Sequence, residues 1–210
     1  MVKKQQLMLS LAGVVILALL MIFGKTAEKK EMPAQAQSTA AQAFDIQKLE
    51  SSARQKLTVS QSTYLARLDN AVSRGNVKDQ QVKAFEQMAD FWKDSIDNHE
   101  LYVFYLSKGA KLVNLEKKLT FAARQTLEEL RNEGDAAIRS WKAEQAIDLY
   151  QQAISLNPGR DSLKVELASC YVFGKGMAGD PQETMKGIQQ LLSIVNKDSM
   201  NMQAQLVLGI

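Results

Sequence analysis

Residues 146–158 read Ala-Ile-Asp-Leu-Tyr-Gln-Gln-Ala-Ile-Ser-Leu-Asn-Pro, and this stretch constrains the fold more than any other. Ala146, Tyr150 and Ala153 stand at i, i+4 and i+7, so they share one face of a helix. Two small residues flank one large aromatic. A neighbouring helix can approach at the alanines and pack around the tyrosine. Pro158 ends the element, because proline lacks an N–H and disfavours helix in the residue before it. A chain with such a face must supply partner helices to cover it.

Those partners are visible as apolar stripes at helical spacing. From Phe44 onward, Ile46, Leu49, Ala53 and Leu57 form one stripe. Leu65, Leu68 and Val72 form a second after a break near Thr58-Val59-Ser60, and Arg74-Gly75-Asn76 ends it with a glycine suited to a C-cap. Val82, Phe85, Ala89, Trp92 and Ile96 form a third, and Asp97-Asn98 supplies the next N-cap. Leu101, Phe104, Tyr105 and Leu112 continue the pattern, followed by Leu115, Leu119, Ala122, Leu127 and Leu130. The helices at 78–97 and 99–112 pair as a hairpin. No stretch reads as a strand, so the expected class is all-α.

The spacing Ala-x3-Tyr-x2-Ala-x4-Pro resembles the second helix of a tetratricopeptide repeat. If Pro158 closes one repeat, Asp161 opens the next, with Leu167, Ala168 and Tyr171 at the Leu, small and Tyr positions of its first helix. Asp180-Pro181-Gln182-Glu183 reads as the capped start of its second helix, which carries Gly187, Leu191 and Ile194. Met202 opens a third, with Leu208-Gly209 on its signature. The resemblance implies units at 127–160, 161–201 and a partial one from 202. In the first of them Gly134 takes the small position and Trp141 lies near the inter-helix turn. The surplus length of the second falls at Gly174 to Gly179, read as an exposed turn. Leu206 to Ile210 then lacks a partner helix, so further repeats or another chain are expected to cover that end.

Ahead of the helical region, residues 5–24 are uncharged and bracketed by lysines. Twenty residues at 1.5 Å rise span about 30 Å, the depth of a bilayer core. A retained transmembrane signal anchor at 1–24 is favoured over a cleaved signal peptide, because Ala34-Gln35-Ala36 lies far past the apolar block. The short N-tail favours a cytoplasmic N-terminus and a body on the other side. Residues 25–43 are rich in Ala, Gln, Ser and Lys and read as a flexible tether, spanning roughly 25 Å as a coil. Residues 44–126 form the helical region of degenerate hairpins.

Of the 26 basic and 23 acidic residues, five lysines and two glutamates fall in residues 1–31. They account for the whole net charge of +3, and the body is neutral. A neutral body argues against nucleic acid, which requires a basic face, and gives little long-range steering, so mild salt dependence of binding is expected. Cys170 is the only cysteine and sits on an apolar helix face. His99 is the only histidine, which excludes an all-histidine metal site. Gly174-Lys-Gly-Met-Ala-Gly179 spells G-x-G-x-x-G, but no strand–loop–helix pattern surrounds it. Phe85, Phe91, Trp92, Tyr102, Phe104 and Tyr105 are expected in the core. No catalytic residue, cofactor or metal is assigned, and no small-molecule substrate is expected.

In the family that the repeats resemble, first-helix residues line a groove that holds peptide segments. By register these are Glu128, Arg131, Asp135 and Ile138, then Ser162, Val165, Ser169 and Val172, then Gln203 and Leu206. The Lys and Asn set of carboxylate-clamp members is missing. The expectation is thus a single transmembrane helix followed by a helical hairpin array that ends in tetratricopeptide repeats, an α-solenoid. Its expected role is that of a protein–protein adaptor on the bacterial inner membrane, with a periplasmic body. Architecture of this kind implies partners in or near the membrane, such as the Sec translocon or periplasmic chaperones. The alternative is an assembly factor for a secretion, cytochrome or outer-membrane complex. An enzyme has no residue pattern in its favour.

Overall fold

The computed structural model describes residues 44–74 and 77–209. The expected membrane helix at 5–24, the tether at 25–43 and the Gly75-Asn76 cap lie outside the described residues. Among the described residues no helix is long and apolar enough to cross a membrane.

The described chain is all-α. Its helices are α1 (Ile46–Gln55), α2 (Val59–Arg74), α3 (Lys78–Asp90), α4 (His99–Val113), α5 (Glu116–Arg131), α6 (Ala136–Leu156), α7 (Asp161–Ser169), α8 (Pro181–Lys197) and α9 (Met202–Leu208). Two of them do not stop where their α-helical bonding stops. α3 continues as a wider π-helical turn at Phe91–Ser95, and α7 as one at Cys170–Gly176.

Short polar side chains start the helices where backbone N–H groups lack partners. Asn98 accepts from the Leu101 N–H at 2.9 Å, and Asp135 accepts from the Ala137 and Ile138 N–H groups at 2.8 and 3.0 Å. Asp180 accepts from Gln182 and Glu183, with Pro181 in the first helical position, as its sequence implies. Each such cap stabilises by about 1 kcal/mol.

From α2 onward consecutive helices pack against one another, and three apolar cores run along the chain. The first gathers Leu65, Leu68, Met88, Phe91, Trp92, Leu101, Tyr102 and Tyr105, and Trp141 joins it from α6. Phe85 and Phe104 of the expected core aromatics are only partly buried and pack on its edge. The second core holds Leu119, Leu127, Leu130, Ala143, Ala146, Leu149, Tyr150 and Ala153 together with Leu163, Leu167, Cys170 and Tyr171. Ala146, Tyr150 and Ala153 are fully buried there, as their spacing requires. The third core is smaller: Val165, Ala168, Leu191, Ile194 and Ala204.

Charge reinforces the junction of α4, α5 and α6. Lys142 is almost wholly buried, and its ammonium donates to Glu133 at 2.8 Å and lies 3.0 Å from Glu100. Burial alone would lower its pKa. The two carboxylates outweigh that effect and raise it, so the ammonium stays charged.

Three expectations are corrected here. A hairpin opening at Leu127 is not formed, since residue 127 lies inside α5. The turn comes at 132–135, where Gly134 is exposed and Asp135 caps the 21-residue α6. Trp141 therefore sits within α6 and not at a turn; its ring packs against Phe44, with centroids 5.1 Å apart. Finally, Gly174–Gly179 is not an exposed turn. Helix persists through Gly176, and only Met177–Gly179 turns, with Gly179 at φ 102° where a side chain would be strained.

Gly174 is a contact point between helices. A Cβ there would collide with Ala143 Cβ and lie 2.9 Å from Leu130 Cδ1. The missing side chain lets the end of α7 rest on α5 and α6. Gly174→Ala should cost about 1–3 kcal/mol by overpacking, while Gly134→Ala, with nothing near its added methyl, should be close to neutral. At this size each kcal/mol lowers Tm by about 2–4 °C. Thermal unfolding of both variants followed by circular dichroism checks the difference; equal Tm values would mean that α7 does not close on α6 in this way.

Candidate functional site

The π-helical turn at the end of α7 shapes an apolar cleft on the described surface. A π-helical turn bonds i to i+5 and takes up one residue more than an α turn. The face presented after Ser169 is shifted by that surplus. Phe173, partly buried against the second core, then lines the cleft side, and Met177 follows from the turn beyond. Together with Arg131 at the end of α5, Arg139 in the first turn of α6, and Leu206 and Val207 on α9, they line a cleft of about 270 Å³. Four of the six lining residues are apolar. Leu206 is 79% exposed and Met177 60%, both high for large apolar side chains.

The two arginines are held differently. Arg139 donates to the backbone carbonyls of Glu133 and Met177. It thereby bridges the α5–α6 turn and the turn after α7. Among the described residues Arg131 pairs only with Glu128, at 3.6 Å, and both side chains are more than half exposed. Next to the cleft, Lys175 donates to Ser140 Oγ at 3.0 Å and also pairs with Glu144, pinning the π-helical turn to α6.

Of the residues expected to form a groove, the structure brings Arg131 and Leu206 together in this cleft. Val165 and Ser169 do not belong to an open groove. Val165 is fully buried against Leu191, Ile194 and Ala204, and Ser169 is buried with its hydroxyl donating to the Val165 carbonyl at 3.0 Å. The reason is that α8 and α9 both pack on that side of α7. Val172 packs partly buried against the same core. Asp135 is exposed and serves as the α6 cap, Ile138 and Ser162 are half-buried, and Gln203 and Glu128 are exposed; none of them lines the cleft. The residues missed were Arg139, Phe173, Met177 and Val207. The sequence signal for Phe173 was erased by the change of helical period after Ser169.

Elsewhere, Cys170 is buried, and burial pushes its thiol well above the ordinary range, which makes it inert. His99 bonds Glu129 at 2.9 Å and Asp97 at 3.1 Å, and the Glu129 bond raises its pKa. Among the described residues no group of three or more His, Cys, Asp and Glu side chains is placed to hold a metal ion.

The turn that aims Arg139 is stabilised by Glu133. Its carboxylate is partly desolvated, which alone would raise its pKa. The Lys142 bond and the N–H groups of Asp135 and Gly134 prevail and depress it. A depressed carboxylate contributes stability above its unfolded pKa, about 4.3, and loses it as pH falls through the lower folded value. Removing its charge should therefore cost about 1–3 kcal/mol at neutral pH. The Tm gap between wild type and Glu133→Gln should hold steady from pH 8 to about pH 5 and close towards pH 3. A gap that widens on acidification would contradict the pairing.

No family model matches the chain, and no curated protein and no solved structure matches it either.

Proposed function

We propose that this protein is a membrane-anchored adaptor that binds other proteins through the cleft between α5, α6, the end of α7 and α9. The observation that carries the reading is the cleft itself: four large apolar side chains gathered around one opening, with two cations at its margin. Pockets of this composition suit a protein segment that inserts apolar side chains and is oriented by a few polar contacts.

The helical-repeat reading of residues 127–210 belongs to the same proposal. It rests on the small–aromatic–small face of Ala146, Tyr150 and Ala153 and on the capped start at Asp180-Pro181. Stacked helical hairpins of this kind leave one face open for a partner. The lysine-bracketed apolar run at 5–24 supports an inner-membrane anchor, with the body on the far side of the bilayer. An anchor raises the effective concentration of the body for membrane neighbours, so a weak contact in the cleft suffices. Partners of the Sec or periplasmic chaperone type fit that placement, and an assembly role for a cell-envelope complex fits it equally. A binding role suits the apolar and cationic lining of the described cleft.

Co-purification from mild detergent tests the reading. Met177→Asp with Leu206→Asp places charge on two exposed positions and should leave helicity and Tm unchanged. The double variant should lose membrane partners that wild type retains, and a chain lacking residues 1–24 should lose most of them too. If all three chains retain the same partners, neither cleft nor anchor is the binding element.

A further inference from the structure

We infer that the occupant of this cleft is a protein segment carrying a carboxylate side chain beside an apolar anchor, and that the arginine pair selects it. This rests on the adaptor reading above and adds the chemistry of the partner.

Arg139 is the reason. Its guanidinium always carries its charge and presents five donors. The partners it has are carbonyl oxygens of Glu133 and Met177, which satisfy hydrogen bonds without cancelling charge. The carboxylates close to it along the chain are engaged elsewhere: Asp135 caps α6, Glu144 pairs with Lys175, and Glu133 bonds Lys142 at 2.8 Å. Among the described residues Arg139 forms no ion pair. Arg131 faces the same cleft with a single exposed partner at 3.6 Å, a pairing that contributes little. Among the described residues no acidic side chain lines the cleft.

A segment entering this cleft strips water from the cations. A neutral or basic apolar segment would leave a desolvated, unpaired guanidinium, which is costly. A carboxylate removes that cost. Flanked by Phe173, Met177, Leu206 and Val207, it meets the arginines where the local dielectric is low and the attraction is strengthened. Guanidinium and carboxylate also match as planar, two-point partners, which fixes orientation as well as charge. The methionine and leucine walls adapt to different apolar side chains, so selectivity falls on the carboxylate. A body neutral overall thus holds a local positive site, and its binding should weaken with salt more than net charge implies.

The test is selection of random twelve-residue displayed peptides on the full chain in detergent micelles, in parallel with Arg131→Gln, Arg139→Gln and Leu206→Asp. Wild type should enrich peptides with Asp or Glu next to Leu, Ile, Phe or Met. Both arginine variants should lose the acidic preference and keep the apolar one. A selected peptide should bind roughly threefold or more weakly when NaCl is raised from about 0.05 to 0.5 M, as screening shortens the reach of the pair. Arg131 is exposed and its replacement should not disturb folding, so Arg131→Gln carries the test if Arg139→Gln loosens the turn. Neutral or basic peptides from wild type, or acidic ones equally enriched by both arginine variants, overturn the inference and leave the adaptor reading standing. If wild type enriches nothing beyond Leu206→Asp, the cleft is not a binding site and both fall.

Discussion

The close approach of α6 to the end of α7 is the contact on which the rest depends. Ala143, Ala146 and Ala153 keep α6 slim along its length, and Gly174 removes the last obstacle on the opposing helix. Tyr150 fills the space between these near-contacts, among Leu163, Leu167, Cys170 and Tyr171. Small residues set the distance and one large residue supplies the buried area, which is how a helical interior reaches crystal-like packing without voids. Because α6 also carries Trp141 into the first core, one helix joins the first core to the second.

From that contact the cleft follows. α7 cannot end at Ser169 without exposing the surface that Gly174 and Tyr171 cover, so the chain continues in a wider turn. The surplus residue of that turn brings Phe173 to the cleft side and sends Met177 over α6, where Arg139 holds its carbonyl. Packing on one side thus produces exposure on the other. Lys175, bound to Ser140 and Glu144, locks the arrangement from outside. π-helical turns recur at functional sites because they re-aim side chains at modest cost, and this one does so beside two arginines.

How much of this could be read in the sequence varies with the physics behind each element. The face of Ala146, Tyr150 and Ala153 was legible, since burial follows directly from helical period. Asp180-Pro181 and Asn98 were legible too, because capping is a local chemistry. The start of α6 was not: Gly134 looked like a small helix-packing residue, whereas it sits in a turn whose signal was Asp135 acting as a cap. Gly174 misled for a related reason. Glycine serves both turns and close helix contacts, and only the position of Ala143 and Leu130 in space separates the two. The groove positions on α7 depart from the cleft for two reasons: α8 and α9 pack over Val165 and Ser169, and the turn after Ser169 has a different pitch, which a constant period does not anticipate. Arg131 and Leu206 stand on other helices, α5 and α9, and line the cleft.

The proposed binding surface is the cleft that helix packing leaves open beside Leu206 and Arg139. Photo-cross-linking in intact cells tests this most directly. A photo-reactive amino acid at position 206 sits on the cleft, while one at position 155 replaces Ser155, exposed on α6 outside the cleft lining. Cross-links are expected from position 206 to a small set of membrane-associated proteins, with few or none from position 155. Cross-links to the same proteins from both positions, or from position 155 alone, would contradict it.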